Sequence, residues 1–169
     1  MSNTLVVGVD GSAHSVQALR WAMAEAARRD WLVKAVTAWL PRPILPSSIP
    51  MAVTQPDQPR EQDLHRDRLE DIVATATAEN PWSAITVLRQ GEAPDVLTQE
   101  ADQDDLLVVG SHGHGRLRTA ALGSVSAACV RKARCPVVVI PSGMSPVDSS
   151  QRGQDILGAE PGQQHFHPG

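Results

Sequence analysis

Aromatic side chains are scarce in this sequence. The 169 residues include four tryptophans, one phenylalanine and no tyrosine. Proteins that bind single-stranded nucleic acid stack its bases on aromatic side chains, so the scarcity disfavours that class. It also predicts a core built from valine, leucine, isoleucine and alanine.

Long runs of one kind of residue are also missing. The sequence has no long run of lysine and arginine, and its net charge is −4. We therefore do not expect it to bind a nucleic acid through the phosphates. No apolar stretch approaches the ~18 residues that suggest a membrane span. The first residues lack the basic region and cleavage site of a signal peptide. We therefore expect a cytoplasmic protein with neither a nucleic-acid nor a membrane partner.

Cysteine occurs only twice, as Cys129 and Cys135. Their spacing fits neither a redox Cys-x-x-Cys motif nor a metal-binding pair. We expect two small, largely buried thiols in a reducing compartment, and we predict no metal site.

What the sequence does contain is a regular alternation of short apolar runs and longer helical patterns. Strands are predicted at 5–9, 32–39, 84–88, 105–109 and 136–140. Helices are predicted at 13–29, 61–78, 93–101 and 124–132. Five strands joined by helical crossovers predict a three-layer α/β fold, with a parallel sheet covered by helices on both faces.

Two segments break this alternation. Residues 41–59 carry six prolines and predict a surface loop, longer than most connections. Residues 142–169 are rich in serine, glycine, proline and glutamine, which predicts a disordered tail. The sequence therefore predicts one folded domain over residues 1–141.

A glycine-rich loop runs from Gly110 to Ser124 between the fourth strand and the helix that follows. Glycines let backbone N–H groups approach an anion closely, and the helix start offers unpaired N–H groups. The loop follows the carboxyl end of a strand, where open α/β sheets bind ligands. The predicted phosphate-binding residues are Gly110, Ser111, His112, Gly113, His114, Gly115, Arg116, Gly123, Ser124, Val125 and Ser126.

Two well-known nucleotide loops do not match. A Walker A loop requires a lysine and a hydroxyl residue after its second glycine. Gly110 to Gly115 have the required spacing, but Arg116 and Leu117 stand in those two places. The dinucleotide motif requires three glycines after the first strand, and Gly8 to Gly11 provide only two.

The pattern that is present, Gly-x2-Gly-x9-Gly-Ser, resembles the nucleotide-binding branch of the universal stress protein family. Its residues are Gly110, Gly113, Gly123 and Ser124, and the opening Val6-Val7-Gly8-Val9-Asp10-Gly11-Ser12 is also similar to that family. The resemblance covers roughly residues 3–141. It implies a Rossmann-like fold of the adenine nucleotide alpha hydrolase type, with strand order 3-2-1-4-5.

The resemblance also implies roles for individual residues. Asp10 would lie near the ribose, the backbone of Gly8 would lie against the nucleotide, and the end of the second strand near Ala38 would contact the adenine. The family pairs its last strand with that of a second copy, which implies a homodimer through Val137 to Ile140. An unpaired apolar edge strand makes that pairing physically sensible.

Several of these residues have simpler interpretations. Asp10 or Ser12 can cap the first long helix, and Ser124 can cap the last one. Arg116 can reach a terminal phosphate or remain a solvated loop cation. His112 and His114 have no carboxylate partner that the sequence identifies, so we predict no catalytic residue.

The sequence is most consistent with a regulatory protein of the stress response that binds ATP or another adenine nucleotide. It leaves the choice among ATP, AMP and cyclic AMP open. A slow ATPase using His112 or His114 with a bound Mg²⁺ is an alternative. In a second alternative, the chain is a protein-interaction module whose glycine loop is only structural.

Overall fold

The computed structural model describes residues 3–41, 58–78, 83–113 and 122–141. The predicted tail, most of the predicted proline-rich loop and the site candidates His114, Gly115 and Arg116 lie outside these residues. Among the described helices, none combines the length and the apolar character that crossing a bilayer requires.

The strands form one parallel sheet in the order β3-β2-β1-β4-β5, which confirms the predicted order. They are β1 (Thr4–Gly8), β2 (Leu32–Trp39), β3 (Ile85–Gln90), β4 (Leu106–Gly110) and β5 (Val137–Ile140). Valine and leucine dominate the central strands because both faces of a parallel sheet are covered. In β1, Leu5 and Val7 face one side of the sheet and Val6 faces the other, all fully buried.

The helices cover the sheet in two layers, as predicted. They are α1 (Ala13–Arg29), α2 (Gln58–Thr77), α3 (Ala93–Glu100) and α4 (Ser124–Lys132). On one face, Leu19 and Met23 of α1 and Leu69 of α2 pack in the cluster that contains Leu5 and Val7. On the other face, α3 and α4 pack against Val6, Val36 and Leu107.

Some boundaries differ from the predicted ones. Helix α2 begins at Gln58 rather than at residue 61, because Pro59 lies in its first turn, where a missing N–H group costs nothing. Strand β1 begins and ends one residue earlier than predicted. Val9 still continues the contact with β2, since its N–H group donates to Val36 O over 2.8 Å.

Candidate functional site

A cavity of about 400 Å³ lies at the carboxyl edge of the sheet, between β1 and β4. The strand order reverses at this point, with β2 on one side of β1 and β4 on the other. Open α/β sheets bind ligands at such a crevice, and the volume falls within the range of about 300–1,000 Å³ found for small-molecule sites. It is lined by Gly8, Val9, Asp10, Ser15, Val36, Ala38, Ala93, Leu97, Val109, Gly110, His112, Gly113, Leu122, Gly123, Ser124, Val125 and Ser126.

The turn between β1 and α1 places Asp10 at the mouth of this cavity. Ser12 N–H donates to Asp10 Oδ1 over 2.9 Å, which folds the aspartate back over its own turn. The N–H groups of Asp10 and Gly11 point to Ser15 Oγ, at 3.3 and 3.2 Å. Ser12, and not Asp10, caps α1, because its side chain accepts from Ser15 N–H.

Gly113 of the glycine loop lies directly against Asp10. A Cβ atom at Gly113 would lie 2.7 Å from Asp10 Oδ2, a separation that no side chain tolerates without displacing the carboxylate. Gly113 is thus the glycine of the loop that the structure places against Asp10 across the switch point. The two groups define one wall of the cavity mouth.

Gly110 has a different neighbour. A Cβ atom there would lie 3.0 Å from the backbone carbonyl carbon and oxygen of His14 in the first turn of α1. Glycine at this position lets β4 end close to α1. It therefore allows the loop to begin beside the β1–α1 turn.

The far end of the loop is tied back to its beginning. Gly123 N–H donates to Ser111 O over 2.8 Å, and Ser126 Oγ donates to the same oxygen over 3.1 Å. Gly123 is the N-cap of α4 and makes no side-chain capping bond. The interpretation of Ser124 as a cap is therefore wrong, because the helix already includes it. Since the first N–H groups of a helix have no partner within it, the start of α4 presents donors and a positive dipole end to the cavity.

His112 brings a polar ring to the same cavity. Its Nδ1 lies 3.1 Å from Ser111 Oγ, and its ring centroid lies 6.1 Å from that of His14. Its Nε2 is buried and has no hydrogen-bond partner among the residues that the structure describes. A buried polar atom without a partner is costly, so this nitrogen is suited to meet an oxygen of a bound ligand.

The opposite wall of the cavity is apolar. Val36 and Ala38 of β2 and Val109 of β4 line it, with Leu97 of α3 above Gly8. A Cβ atom at Gly8 would lie 2.9 Å from Leu97 Cδ1, so the absence of a side chain leaves room for that leucine. The cavity therefore joins an apolar slot to a loop rich in hydrogen-bond donors.

The structure brings most of the predicted site residues together. Those that line the cavity are Gly8, Asp10, Ala38, Gly110, His112, Gly113, Gly123, Ser124, Val125 and Ser126. Ser111 does not line it; this residue is buried and supports the loop through its carbonyl oxygen. His114, Gly115 and Arg116 lie outside the described residues.

The sequence analysis missed seven lining residues: Val9, Ser15, Val36, Ala93, Leu97, Val109 and Leu122. The three valines lie near the carboxyl ends of their predicted strands. Since ligands bind at that edge of an open α/β sheet, the predicted strands could have identified them. Leu97 has the spacing of a core residue of α3. Ser15 has the spacing of an ordinary first-turn residue of α1, so neither carried a visible signal.

Within the described part of the chain, no three histidine, cysteine, aspartate or glutamate side chains form a group that could hold a metal ion. The bound Mg²⁺ of the alternative ATPase hypothesis remains a prediction.

Comparison with known proteins assigns the chain and its fold to a family. The model of the universal stress protein family matches residues 1–141. Universal stress protein Rv2005c of Mycobacterium tuberculosis is 31% identical over 163 residues, which cover 92% of this chain and 54% of that protein. The chain thus spans about half the length of this curated relative.

Solved structures show the same fold. A universal stress protein in complex with cAMP is 26% identical, with a TM-score of 0.59, and the match covers 83% of this chain and 97% of that one. The universal stress protein from Archaeoglobus fulgidus in complex with dAMP is 23% identical, with a TM-score of 0.53 and coverages of 83% and 98%. With a family model that matches 141 consecutive residues and a sheet order that agrees, this chain belongs to the universal stress protein family.

Proposed function

We propose that this chain binds an adenine nucleotide, with ATP as the expected ligand, and acts as a regulatory protein of the stress response. The observation that carries the proposal is the contact between Gly113 and Asp10. It places the described start of the glycine loop at a cavity that has an apolar slot on one side and helix N–H donors on the other.

The apolar slot suits the base. Val36, Ala38 and Leu97 provide aliphatic surface on which a flat purine ring can pack. We assign the adenine to this side of the cavity.

The loop and the start of α4 suit the phosphates. The N–H groups of Gly123, Ser124 and Val125 belong to a helix start, and this end of a helix attracts anions. The Gly123 N–H group is already bonded to Ser111 O, which leaves the next N–H groups of the helix for a ligand. His112 Nε2 adds a further polar atom on this side.

Asp10 lines the cavity beside Gly113, and a nucleotide that reaches from the apolar slot to the loop would bring its sugar to this residue. A carboxylate there accepts hydrogen bonds from ribose hydroxyl groups. Its position against Gly113 keeps it at the cavity mouth rather than in the apolar slot. We therefore assign Asp10 to the ribose.

A cyclic nucleotide is the second candidate ligand. A relative with 26% identity over 83% of this chain has been solved in complex with cAMP. Cyclic AMP carries one phosphate with one charge, so it would use fewer of the α4 donors than ATP does. Competition between the two ligands in one titration would decide the preference.

We do not expect rapid hydrolysis of the bound nucleotide. Hydrolysis by general-base catalysis needs a proton acceptor held beside the water that attacks the terminal phosphate. His112 is oriented by the Ser111 hydroxyl rather than by a carboxylate, among the residues that the structure describes. We therefore propose binding without rapid turnover.

Calorimetric titration tests the proposal. The purified protein is first denatured and its supernatant analysed for co-purified ATP, ADP or AMP. Refolded or nucleotide-free protein is then titrated with ATP, AMP, cyclic AMP and GTP. We expect micromolar binding of an adenine nucleotide at one site per chain, and much weaker binding of GTP.

A charged replacement in the loop provides the site control. Gly113→Glu places a carboxylate against Asp10 and should abolish binding. Gln99→Glu adds the same charge at an exposed position of α3 outside the cavity lining and should leave binding unchanged. Equal affinities of the wild type and Gly113→Glu would show that the nucleotide binds elsewhere.

A further inference from the structure

We infer that Ser15 is a positioning residue that aims the Asp10 carboxylate at the bound ligand. The inference rests on the proposed function, because it assigns a task to Ser15 within the same site. Ser15 lies in the first turn of α1, is 4% exposed and lines the cavity. Neither its sequence position nor its residue type marks it as part of a binding site.

The hydroxyl group of Ser15 is hydrogen-bonded to the backbone of the turn that carries Asp10. Ser15 Oγ accepts from the N–H groups of Asp10 and Gly11, at 3.3 and 3.2 Å. It donates its own proton to Ser12 O over 3.0 Å. One buried hydroxyl therefore uses both its donor and its acceptor capacity on the backbone of residues 10–12.

The turn needs such a support. Gly11 has a φ of +84°, a conformation that glycine adopts freely and also leaves freely. Asp10 itself is an exposed residue of this turn. Asp10 Oδ1 is bonded to the N–H group of Ser12, and the whole carboxylate therefore moves with the turn.

Ser12 allows the positioning role of Ser15 to be distinguished from helix capping. Ser12 Oγ accepts from Ser15 N–H over 3.2 Å and caps α1. Loss of the Ser12 hydroxyl removes the cap and leaves the N–H bonds of Asp10 and Gly11 in place. Loss of the Ser15 hydroxyl keeps the cap acceptor and releases those two N–H groups. The two substitutions therefore remove similar chemistry with different consequences for Asp10.

The first measurement needs no ligand. Amide hydrogen exchange is followed by NMR in the wild type, Ser12→Ala and Ser15→Ala. We expect the amides of Asp10 and Gly11 to exchange at least about tenfold faster in Ser15→Ala only, since they lose their acceptor. Unchanged exchange at both amides would overturn the inference.

The second measurement is the affinity for a fluorescent ATP analogue. We expect a loss of about tenfold in Ser15→Ala and less than about twofold in Ser12→Ala, while the melting temperatures of the two variants fall by similar amounts. Equal affinity losses in the two variants would show that Ser15 acts only through the stability of α1, and would overturn the inference.

A double-mutant cycle shows whether the effect passes through Asp10. In an Asp10→Ala background, the substitution Ser15→Ala should change the affinity by less than about twofold. A full tenfold loss in that background would mean that Ser15 contacts the ligand itself, and would overturn the positioning role. A wild type that binds no nucleotide would refute the proposed function instead, so the two failures are distinguishable.

Discussion

At the scale of single residues, the glycines of the loop are required for different reasons. Gly110 lies against the backbone of α1, which cannot move without moving the helix. Gly113 lies against a carboxylate at the end of an exposed side chain, which can move. We therefore expect Gly110 to be required for packing and Gly113 for nucleotide binding.

This difference predicts opposite effects of two alanine substitutions. Gly110→Ala should destabilise the fold by about 1–3 kcal/mol, the usual cost of overpacking, because its Cβ meets His14 backbone atoms. Gly113→Ala should change the stability by less than about 0.5 kcal/mol, as exposed substitutions do, and weaken nucleotide binding at least tenfold. Urea unfolding and calorimetric titration measure the two quantities. A larger loss of stability in Gly113→Ala, or a larger loss of affinity in Gly110→Ala, would contradict these roles of the two glycines.

The buried thiol of α4 predicts a loss of stability at alkaline pH. Burial raises the pKa of Cys129 from 9.0 to about 11. The protonated thiol is therefore favoured in the folded state, so its contribution is complete below pH 9 and is lost as the pH rises towards 11. The loss should reach about 2 kcal/mol. The chain contains no tyrosine whose titration would overlap.

Denaturant unfolding between pH 8 and 11 measures this loss. Cys129→Ala should have a lower stability at pH 8 and a flatter dependence on pH. Cys135→Ala is the matched control. Burial also raises the pKa of Cys135, but its side chain is only half-buried, so this substitution should change the pH dependence less than Cys129→Ala does. Identical pH dependence in the wild type and Cys129→Ala would contradict the prediction.

At the scale of secondary structure elements, β5 is the sheet edge next to the site. Leu107 N–H donates to Pro136 O and Ser111 N–H donates to Ile140 O, so alternate residues of β5 are bonded to β4. The backbone groups of Val137 and Val139 consequently point away from the sheet. Among the described residues no strand pairs with this edge, through which we propose that two copies form a homodimer.

Proline substitutions in β5 test this proposal. Val139→Pro removes an outward N–H group and should convert a dimer into a monomer, with a melting temperature within a few degrees of the wild type. Val138→Pro removes an N–H group that faces β4 and should destabilise the fold itself by about 2 kcal/mol or more. Light scattering at micromolar concentration gives the oligomeric state. A monomeric wild type would refute the homodimer.

The elements were more predictable from the sequence than their ends. Runs such as Val6-Val7 and Val108-Val109 are apolar on both faces, and this pattern indicates a parallel strand whatever surrounds it. The start of α2 was misplaced because Pro59 was interpreted as part of the loop. Proline is compatible with a loop and with a first helical turn, and only packing distinguishes them.

The candidate site was predictable where it depends on backbone chemistry. The glycine spacing and Asp10 are local features of the sequence, and both line the cavity. Leu97 and Ser15 reach the cavity through the packing of α3 and the folding of the β1–α1 turn. Their place in the cavity depends on tertiary geometry. From the sequence alone, Leu97 is indistinguishable from an ordinary core residue and Ser15 from an ordinary helix residue. The cytoplasmic location remains a prediction.

At the scale of the whole molecule, binding and stability should be linked. A ligand that binds only the folded state at one hundred times its dissociation constant adds about 2.7 kcal/mol to the free energy of unfolding. For a domain of this size, that corresponds to a rise of roughly 5–10 °C in the melting temperature. We expect this rise with ATP, a smaller one with GTP at the same concentration, and no rise for Gly113→Glu. A melting temperature independent of ATP concentration would contradict the proposal.

The most direct test of the central claim is an NMR titration of isotopically labelled protein with ATP. The account predicts that the amide signals of Gly8, Asp10, Ala38, Gly113 and the first turn of α4 shift together with one dissociation constant. Signals from the amino-terminal ends of the strands, on the opposite edge of the sheet, should stay unchanged. Absence of any shift at millimolar ATP, or shifts confined to residues outside the cavity, would contradict it.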